Sequence, residues 1–530
     1  MLNFHSDKIM NKSIYSLALL ACGFLLSGCT DNFDQTNTNP NKITVESGKL
    51  SASSMFEPLL YGGANFLTYY SYSWNNEIAQ YTAQTGNTLG RAYKYDIGDS
   101  NWTSVWNTYA RYATNAAEMY RLAIKQEDKP LEAISLTMKV IFMNGLTDIF
   151  GDIPYAEAFK AEEGNRTPVF DSQEQVYQEM CADLEAANKI YASNPTVSQS
   201  VIELDGMYKM DLAKWRKFNN SLYLRLLCRI SGRPSTLVDG EHSVIQKINQ
   251  IVNEPQNYPI FTSSEDNATV HYSGTDPYYS QFDPRNYTKA DFDAYRITKN
   301  LISLMVEKQG EKVDLTVDPR LPIFATQNKV GYWNGCGTNI GNTDFGGGAY
   351  LNYASYCRIN ADEWFMDFSE VEFILAEAAM KGYIAGGEDA AREYYINGVK
   401  ASLKKWSDYG VATDPAHLIT DEAIDEYMQS PLASWDDAEN KLQLIANQRY
   451  LAAYFIGMEG WAEYRRTGYP VLTVDESWLN DGVLPTRFAY PNTTIATNRV
   501  NAEAALQRMG GPNDMKTPLW WSKEAIQRGH

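Results

Sequence analysis

Apolar residues recur at intervals of three and four along several long stretches of the chain, the spacing that lines one face of a helix. The first stripe is Trp102, Val105, Trp106, Tyr109, Ala113, Ala116, Tyr120 and Ala123. The second runs from Leu131 through Ile134, Met138, Ile141 and Leu146 to Ile149, with Pro130 before it and Gly151-Asp152-Ile153-Pro154 after it as start and stop signals. The short turn between the two makes a helical hairpin. A third stripe opens after Asp171, read as its N-cap, and carries Val176, Met180, Leu184, Ala187 and Tyr191. Its partner spans Leu212 to about Ser231, with Trp215, Phe218, Leu222, Leu226 and Ile230 on one side. Further on, Phe368, Val371, Leu375 and Ala378 stripe the segment FSEVEFILAEAAMKG, residues 390–406 supply its partner, and Leu442 to Met458 leads into EGWAEYRRTGYP. The rhythm predicts a mostly α protein built as an array of helical hairpins, although no clean 34-residue repeat is present in the letters.

Between the stripes the character changes. Residues 55–100 are rich in Tyr, Trp, Asn and Gly, with one short helix expected around Trp74 to Tyr81, and the tail is aromatic and punctuated by proline. Residues 253–361 read as a loop-rich insertion, HYSGTDPYYSQFDPRNY and GYWNGCGTNIGNTDFGGGAY among them, with a helix near Ala294 to Glu307. The helical scaffold is therefore assigned to about 101–252 and 362–470. Loops held on a rigid scaffold are where binding usually sits.

Tyrosine outnumbers phenylalanine 36 to 20, and with 12 Trp the chain is stocked with rings that pair an apolar face with a polar edge. Such rings stack on the C–H face of a sugar while Asn, Asp and Arg neighbours bond its hydroxyls. Trp106, Tyr109, Tyr120 and Trp215 lie on helical stripes and are read as packing. Trp74, Tyr278, Tyr279, Trp333 and Tyr350 lie outside the stripes beside Asn, Gly or Asp, and with Asn75 and Tyr81 they form the candidate ligand-binding set.

The amino terminus decides where the rest of the chain lives. Lys8 and Lys12 precede an apolar run from Ile14 to Leu26, about the length of a signal-peptide core, and the run ends in Leu26-Ser27-Gly28-Cys29. This is a lipobox: residues 1–28 are the expected signal peptide, and Cys29 the expected lipidation site. Several acyl chains on one residue make a stable anchor where one would be marginal. Residues 29–54 begin with the polar run TDNFDQTNTNPNK, a linker composition, and Asp31 and Asp34 resemble the acidic tags that send envelope lipoproteins to the outside of the outer membrane. Loss of Asp7, Lys8 and Lys12 with the signal takes the net charge from −19 to −20. That charge repels nucleic acid and anionic headgroups, so the membrane contact falls to the lipid. No apolar run after the signal approaches 18 residues, so no other span is expected.

Catalytic signatures are missing. The five histidines are scattered, and no HExxH, GxSxG or GxxxxGK occurs. The chain is read as a binding protein and not an enzyme, with an enzyme cleaving the same polymer at the cell surface as the weaker alternative, with no cofactor and with structural calcium left open. Gly335-Cys336-Gly337 and Gly346-Gly347-Gly348 follow no strand and open no helix, so they are read as turns and points of close backbone approach. Cys181 and Cys228 read as buried thiols, while Cys336 and Cys357 stay open between free thiols and a pair.

Several segments together carry a resemblance: the lipobox at Cys29, WNTYARYATN at 106–115, MNGLTDIFGDIPY at 143–155, SEVEFILAEAA at 369–379, QRYLAAYFIGMEGWAEYRRTG at 448–468 and TRFAYPNTTIATN at 486–498. In this order they resemble the SusD/RagB family of outer-membrane nutrient-binding lipoproteins. The resemblance implies that residues 55–530 are one SusD-like domain, a scaffold of four tetratricopeptide-like helix pairs with an irregular ligand-binding region packed on it. It implies a glycan ligand, with peptide as the alternative, and a partner, a TonB-dependent SusC-like transporter over which the lipoprotein acts as a lid. Two positions depart from the family pattern: Gln448-Arg449 stands where Glu-Arg is usual, and Glu463-Tyr464 where Asp-Leu is usual.

Overall fold

Each apolar stripe has become a helix, although the stretch from Leu442 to Met458 is helical only as far as Ala452. The computed structural model describes residues 50–84, 92–307, 317–338, 345–476 and 478–523; Cys29, the signal segment and most of the linker lie outside the described residues. Helix α1 is Ala52–Tyr70, α2 Asp99–Lys125, α3 Lys129–Phe150, α4 Gln173–Ala192, α5 Leu212–Arg229 and α6 Val244–Asn253. In the second half α7 is Phe368–Met380, α8 Gly387–Val411, α9 Lys441–Ala452, α10 Glu459–Thr467 and α11 Arg499–Met509. Successive helices pack on one another as tetratricopeptide-like pairs, α2 on α3, α4 on α5 and α7 on α8. Helix α3 is long and apolar enough to cross a membrane, yet it is buried on nearly all sides, with α2 and α4 packed on it, and is a core helix.

Three details differ from the sequence reading. Helix α1 starts at Ala52, inside the stretch assigned to the linker, and occupies residues that read as irregular. Helix α4 is capped by Ser172, whose hydroxyl and the Gln175 side chain exchange hydrogen bonds with each other's backbone N–H; Asp171 instead takes the N–H groups of Tyr155 and Ala156. The helix expected over Ala294 to Glu307 splits into a strand, Tyr295–Ile297, and a shorter helix, Lys299–Met305. Cys336 and Cys357 are separate buried thiols, as are Cys181 and Cys228.

Little of the fold is sheet. Strands β1 Thr82–Gln84, β3 Tyr295–Ile297, β4 Ala325–Thr326 and β5 Tyr350–Leu351 form an antiparallel sheet in the order β1-β3-β5-β4, while β2 Ala268–Val270 pairs with β6 Glu363–Met366. The four-stranded sheet gathers most of the loop-rich insertion into one body.

A network of ion pairs fills the space where α5, α7, α9 and α10 meet. Arg225 grips Glu370 with both Nε and Nη2, at 2.8 and 2.6 Å, and Arg449 reaches the same carboxylate at 3.3 Å. Arg466 bonds Glu377 and Glu463, both at 2.7 Å, and Arg229 bonds Glu459. A second buried set explains one family departure. Arg320 and Asp318 are both fully buried and paired, with Nε to Oδ1 at 2.9 Å. Gln448 completes the set by accepting from Arg320 Nη2 at 2.8 Å and donating its amide to the Tyr427 hydroxyl at 2.8 Å. A glutamate there would lose the donor and add a second carboxylate against one arginine, so glutamine suits this interior.

The buried carboxyls set the pH range of stability. Burial pushes Glu77 and Glu363 up to about 8, against one backbone N–H from Tyr93 and bonds from the Gln281 N–H and the Tyr272 hydroxyl respectively. Burial would also raise Glu377 and Glu459, but Arg466 and Lys381, and Arg229 and Arg225, outweigh it and hold both below the usual range. The raised pair keeps protons that the unfolded chain releases, so its contribution is full below the ordinary carboxyl pKa and is lost as pH rises toward 8. The lowered pair contributes in full above the ordinary value, and that contribution is lost as pH falls below it and through their lowered folded values. Thermal stability should therefore peak in mild acid, and decline between about pH 5 and 8. Glu77→Gln with Glu363→Gln should flatten the alkaline decline and leave the acid limb unchanged; a wild-type melting profile already flat over that range would refute this.

Candidate ligand-binding site

The seven candidate residues divide into an interior group and a surface group. Trp74 and Asn75 lie in a single wide turn, Ser71–Asn75, that continues α1, and both are buried. The Trp74 ring meets Phe488 edge-on at 5.9 Å, and the Asn75 side-chain Oδ1 accepts the Trp461 backbone N–H at 2.9 Å, pinning the start of α10. Tyr81 is stacked flat on Tyr450 at 3.9 Å and donates its hydroxyl to the Tyr450 carbonyl at 2.6 Å. These three, expected in and around a short helix and read as ligand contacts, are buried and pack the joint between the N-terminal helices and α9–α10: the Ser71–Asn75 turn carries Trp74 and Asn75 inward, and Tyr81, just beyond it, is held by Tyr450.

Tyr278, Tyr279, Trp333 and Tyr350 remain half-buried at the surface of the insertion. Tyr278 packs its ring on Tyr61 of α1 at 4.8 Å and hydrogen-bonds Glu57, so one face is engaged. Tyr279, pointing the other way, carries the Arg285 guanidinium over its ring at 3.6 Å, and its carbonyl accepts from Asn65 Nδ2 at 3.2 Å. Arg285 is held there by Asp283, with Nε 2.8 Å from Oδ2, a pairing that keeps the Asp283 carboxyl below its usual range.

Tyr350 stands on β5 directly across from Arg296 on β3, and the Arg296 guanidinium lies 3.7 Å from its ring centre. A short helix, Lys289–Asp293, brings the Lys289 ammonium to 5.7 Å from the same ring, and Asp293 balances it at 2.6 Å. Trp333 is carried by a segment laced to the sheet: the Ala349 N–H donates to the Asn334 carbonyl at 2.8 Å, the Cys336 N–H to Ile297 and the Lys299 N–H to Cys336, each at 2.9 Å. Gly335 is needed for this contact, since a Cβ there would sit 2.4 Å from the Lys299 nitrogen. Asn328 fixes the preceding turn by accepting the Tyr332 N–H at 2.9 Å and donating to the Gly347 carbonyl at 2.7 Å.

The arrangement is a set of anchored rings, two of them with a guanidinium on one face. Residues 279–289 link the Tyr279 and Tyr350 stacks, since Arg285 and Lys289 both lie on that run. Sequence reasoning found the rings and missed Arg285, Lys289 and Arg296; no spacing rule announces a cross-strand stack before the strands are known. Among the described residues no group of three or more His, Cys, Asp or Glu is gathered as a metal site requires.

A profile of SusD-like proteins, described as starch-binding and associating with the outer membrane, matches residues 40–491. None of the curated proteins matches. Among solved structures, a chitin-binding protein superposes with a TM-score of 0.71 at 26% identity, over 89% of this chain and 99% of that one. A SusD homologue from Bacteroides fragilis superposes with a TM-score of 0.71 at 23% identity, over 88% and 98%. A chitin-binding SusD homologue from Flavobacterium johnsoniae gives 0.69 at 21%, over 89% and 98%.

Proposed function

The chain belongs to the SusD-like family, and on that premise we propose that it is a cell-surface lipoprotein that binds a glycan and passes it to a TonB-dependent transporter of the SusC type. The observation that carries the glycan reading is the pair of tyrosine–arginine stacks at Tyr279 and Tyr350, with Trp333 beside the second. A guanidinium fixes each tyrosine from one side, and the half-buried rings can offer what surface remains to the C–H face of a sugar. Asp293, half-buried beside the second stack, is the carboxylate able to accept from a hydroxyl. The likeness to starch- and chitin-binding proteins supports the same ligand class.

Purified protein run through native gels containing soluble starch, or incubated with insoluble chitin, is expected to be retained without releasing sugar. Cleavage would make it an enzyme, and retention only by peptides would favour the peptide alternative. Cys29 is proposed to carry the lipid. Cys29→Ala should then move the protein out of the membrane fraction, whereas gentle detergent extraction of the wild type should recover a barrel protein with it. Membrane retention of the Cys29→Ala variant would sink the anchor, and recovery of the wild type alone would count against the transporter.

A further inference from the structure

A cleft of about 210 Å³ lies between the end of α10, residues 484–486 and the last described residues. It is lined by Tyr464, Arg465, Gly468, Thr486 and Lys523, among others, and no acidic side chain lines it among the described residues. Two cations and no acid among the described residues face it, in a chain that holds 65 acidic against 46 basic residues.

Arg465 is the unusual member. Its guanidinium lies 3.6 Å from the Trp461 ring centre and 5.0 Å from that of Trp521, so it is clamped between indoles. Its hydrogen bonds go only to neutral carbonyls: Nη1 to Asp148 at 2.6 Å and Thr486 at 2.9 Å, and Nε to Trp461 at 3.3 Å. The remaining nitrogen, Nη2, is buried and has no partner among the described residues. Arg225, Arg229, Arg449 and Arg466, in the adjoining network, each pair with at least one carboxylate; Arg465 bonds none. Burial, only partly offset by the Asp148 carboxylate, pulls its pKa down to about 9. Across the cleft, the Lys523 ammonium spends one proton on the Thr467 carbonyl at 3.1 Å and has two left.

A buried guanidinium left without an anion costs free energy that an entering anion recovers, and a planar fork suits an oxyanion in particular. We propose that this cleft binds a small oxyanion, a carboxylate or inorganic phosphate, between Arg465 and Lys523. The volume holds roughly seven waters, room for such an ion with part of its hydration shell and too little for an oligosaccharide.

The test is calorimetric titration of the full-length protein with sodium acetate and, separately, inorganic phosphate, each at constant ionic strength set by chloride. Saturable one-to-one binding of at least one ion is expected, and the tighter of the two names the class. Arg465 is embedded in the core and its loss threatens folding, so the informative variant is Lys523→Met, at the cleft's rim, which should weaken binding at least about tenfold. Trp333→Ala should bind the ion as the wild type does, marking the cleft as separate from the ring platform. Absence of saturable binding for both ions, or equal binding by Lys523→Met, would overturn the proposal.

Discussion

Glu370→Ala is expected to cost about 3–5 kcal/mol of stability, the usual result of removing one partner from a buried ion pair. Glu370 is nearly buried and serves two arginines at once, Arg225 through both of its oxygens and Arg449 through one. Without it Arg225 keeps the Phe365 carbonyl at 3.0 Å and a Glu459 oxygen at 3.9 Å, and Arg449 keeps Glu463 at 3.4 Å. Two guanidiniums would then be left short of charge where water does not reach. Domains are stable by only about 5–15 kcal/mol, so the loss is a large share of the whole. The contrast is Glu118→Ala, which removes an exposed i,i+3 pair with Arg121 and should change stability by less than about 1 kcal/mol. A Glu370→Ala protein that melts with the wild type would show that Glu459 and Glu463 suffice, and that the network tolerates a missing carboxylate.

The same network shows what a sequence can and cannot disclose. Helices α2, α3, α5 and α7 were legible because one apolar face repeats every three or four residues, and that repeat is a local property. Helix α1 was not: its inward face does carry Phe56, Leu59, Leu60 and Leu67 at helical spacing, but Pro58 and the Gly62-Gly63 pair interrupt them and argue against helix on propensity. Gly63 is there for packing: a Cβ would lie 2.7 Å from the Phe142 ring. Tertiary contact has overridden local preference. The pairing of Arg225 with Glu370 spans 145 residues and leaves no local trace at either end.

The ring residues illustrate the limit more sharply. Trp74 and Trp333 look alike in the letters, each an aromatic beside asparagine and outside any stripe. What separates them is the partner. Phe488 and the start of α10 close over Trp74 from more than 380 residues away, whereas Trp333 sits on the rim of a sheet whose strands come from distant parts of the chain. Neither partner can be read from the neighbours in sequence.

That separation makes the last expectation a two-sided one. Trp74→Ala should lower stability by about 3–5 kcal/mol, as the loss of a buried aromatic does, and leave ligand affinity unchanged once the protein is folded. Trp333→Ala and Tyr350→Ala should weaken glycan binding by roughly 1–3 kcal/mol each, about five- to 150-fold in Kd, because a stacking ring near the centre of a site behaves as a hot spot. Their cost to folding should be small, since Trp333 is only half-buried and Arg296 keeps its bond to the Tyr295 carbonyl at 3.0 Å without Tyr350. Tyr279→Ala should follow Tyr350, releasing Arg285 while Asp283 still holds it. Affinity for a retained glycan and a thermal melt, run on all four variants, decide the matter. Were Trp333→Ala and Tyr350→Ala to melt early yet bind normally, these rings would be packing residues, and the ligand would have to lie elsewhere on the insertion. Were Trp74→Ala to bind weakly while melting normally, the interior placement of that ring would not describe its role, and the wide turn at Ser71–Asn75 would have to open toward the ligand.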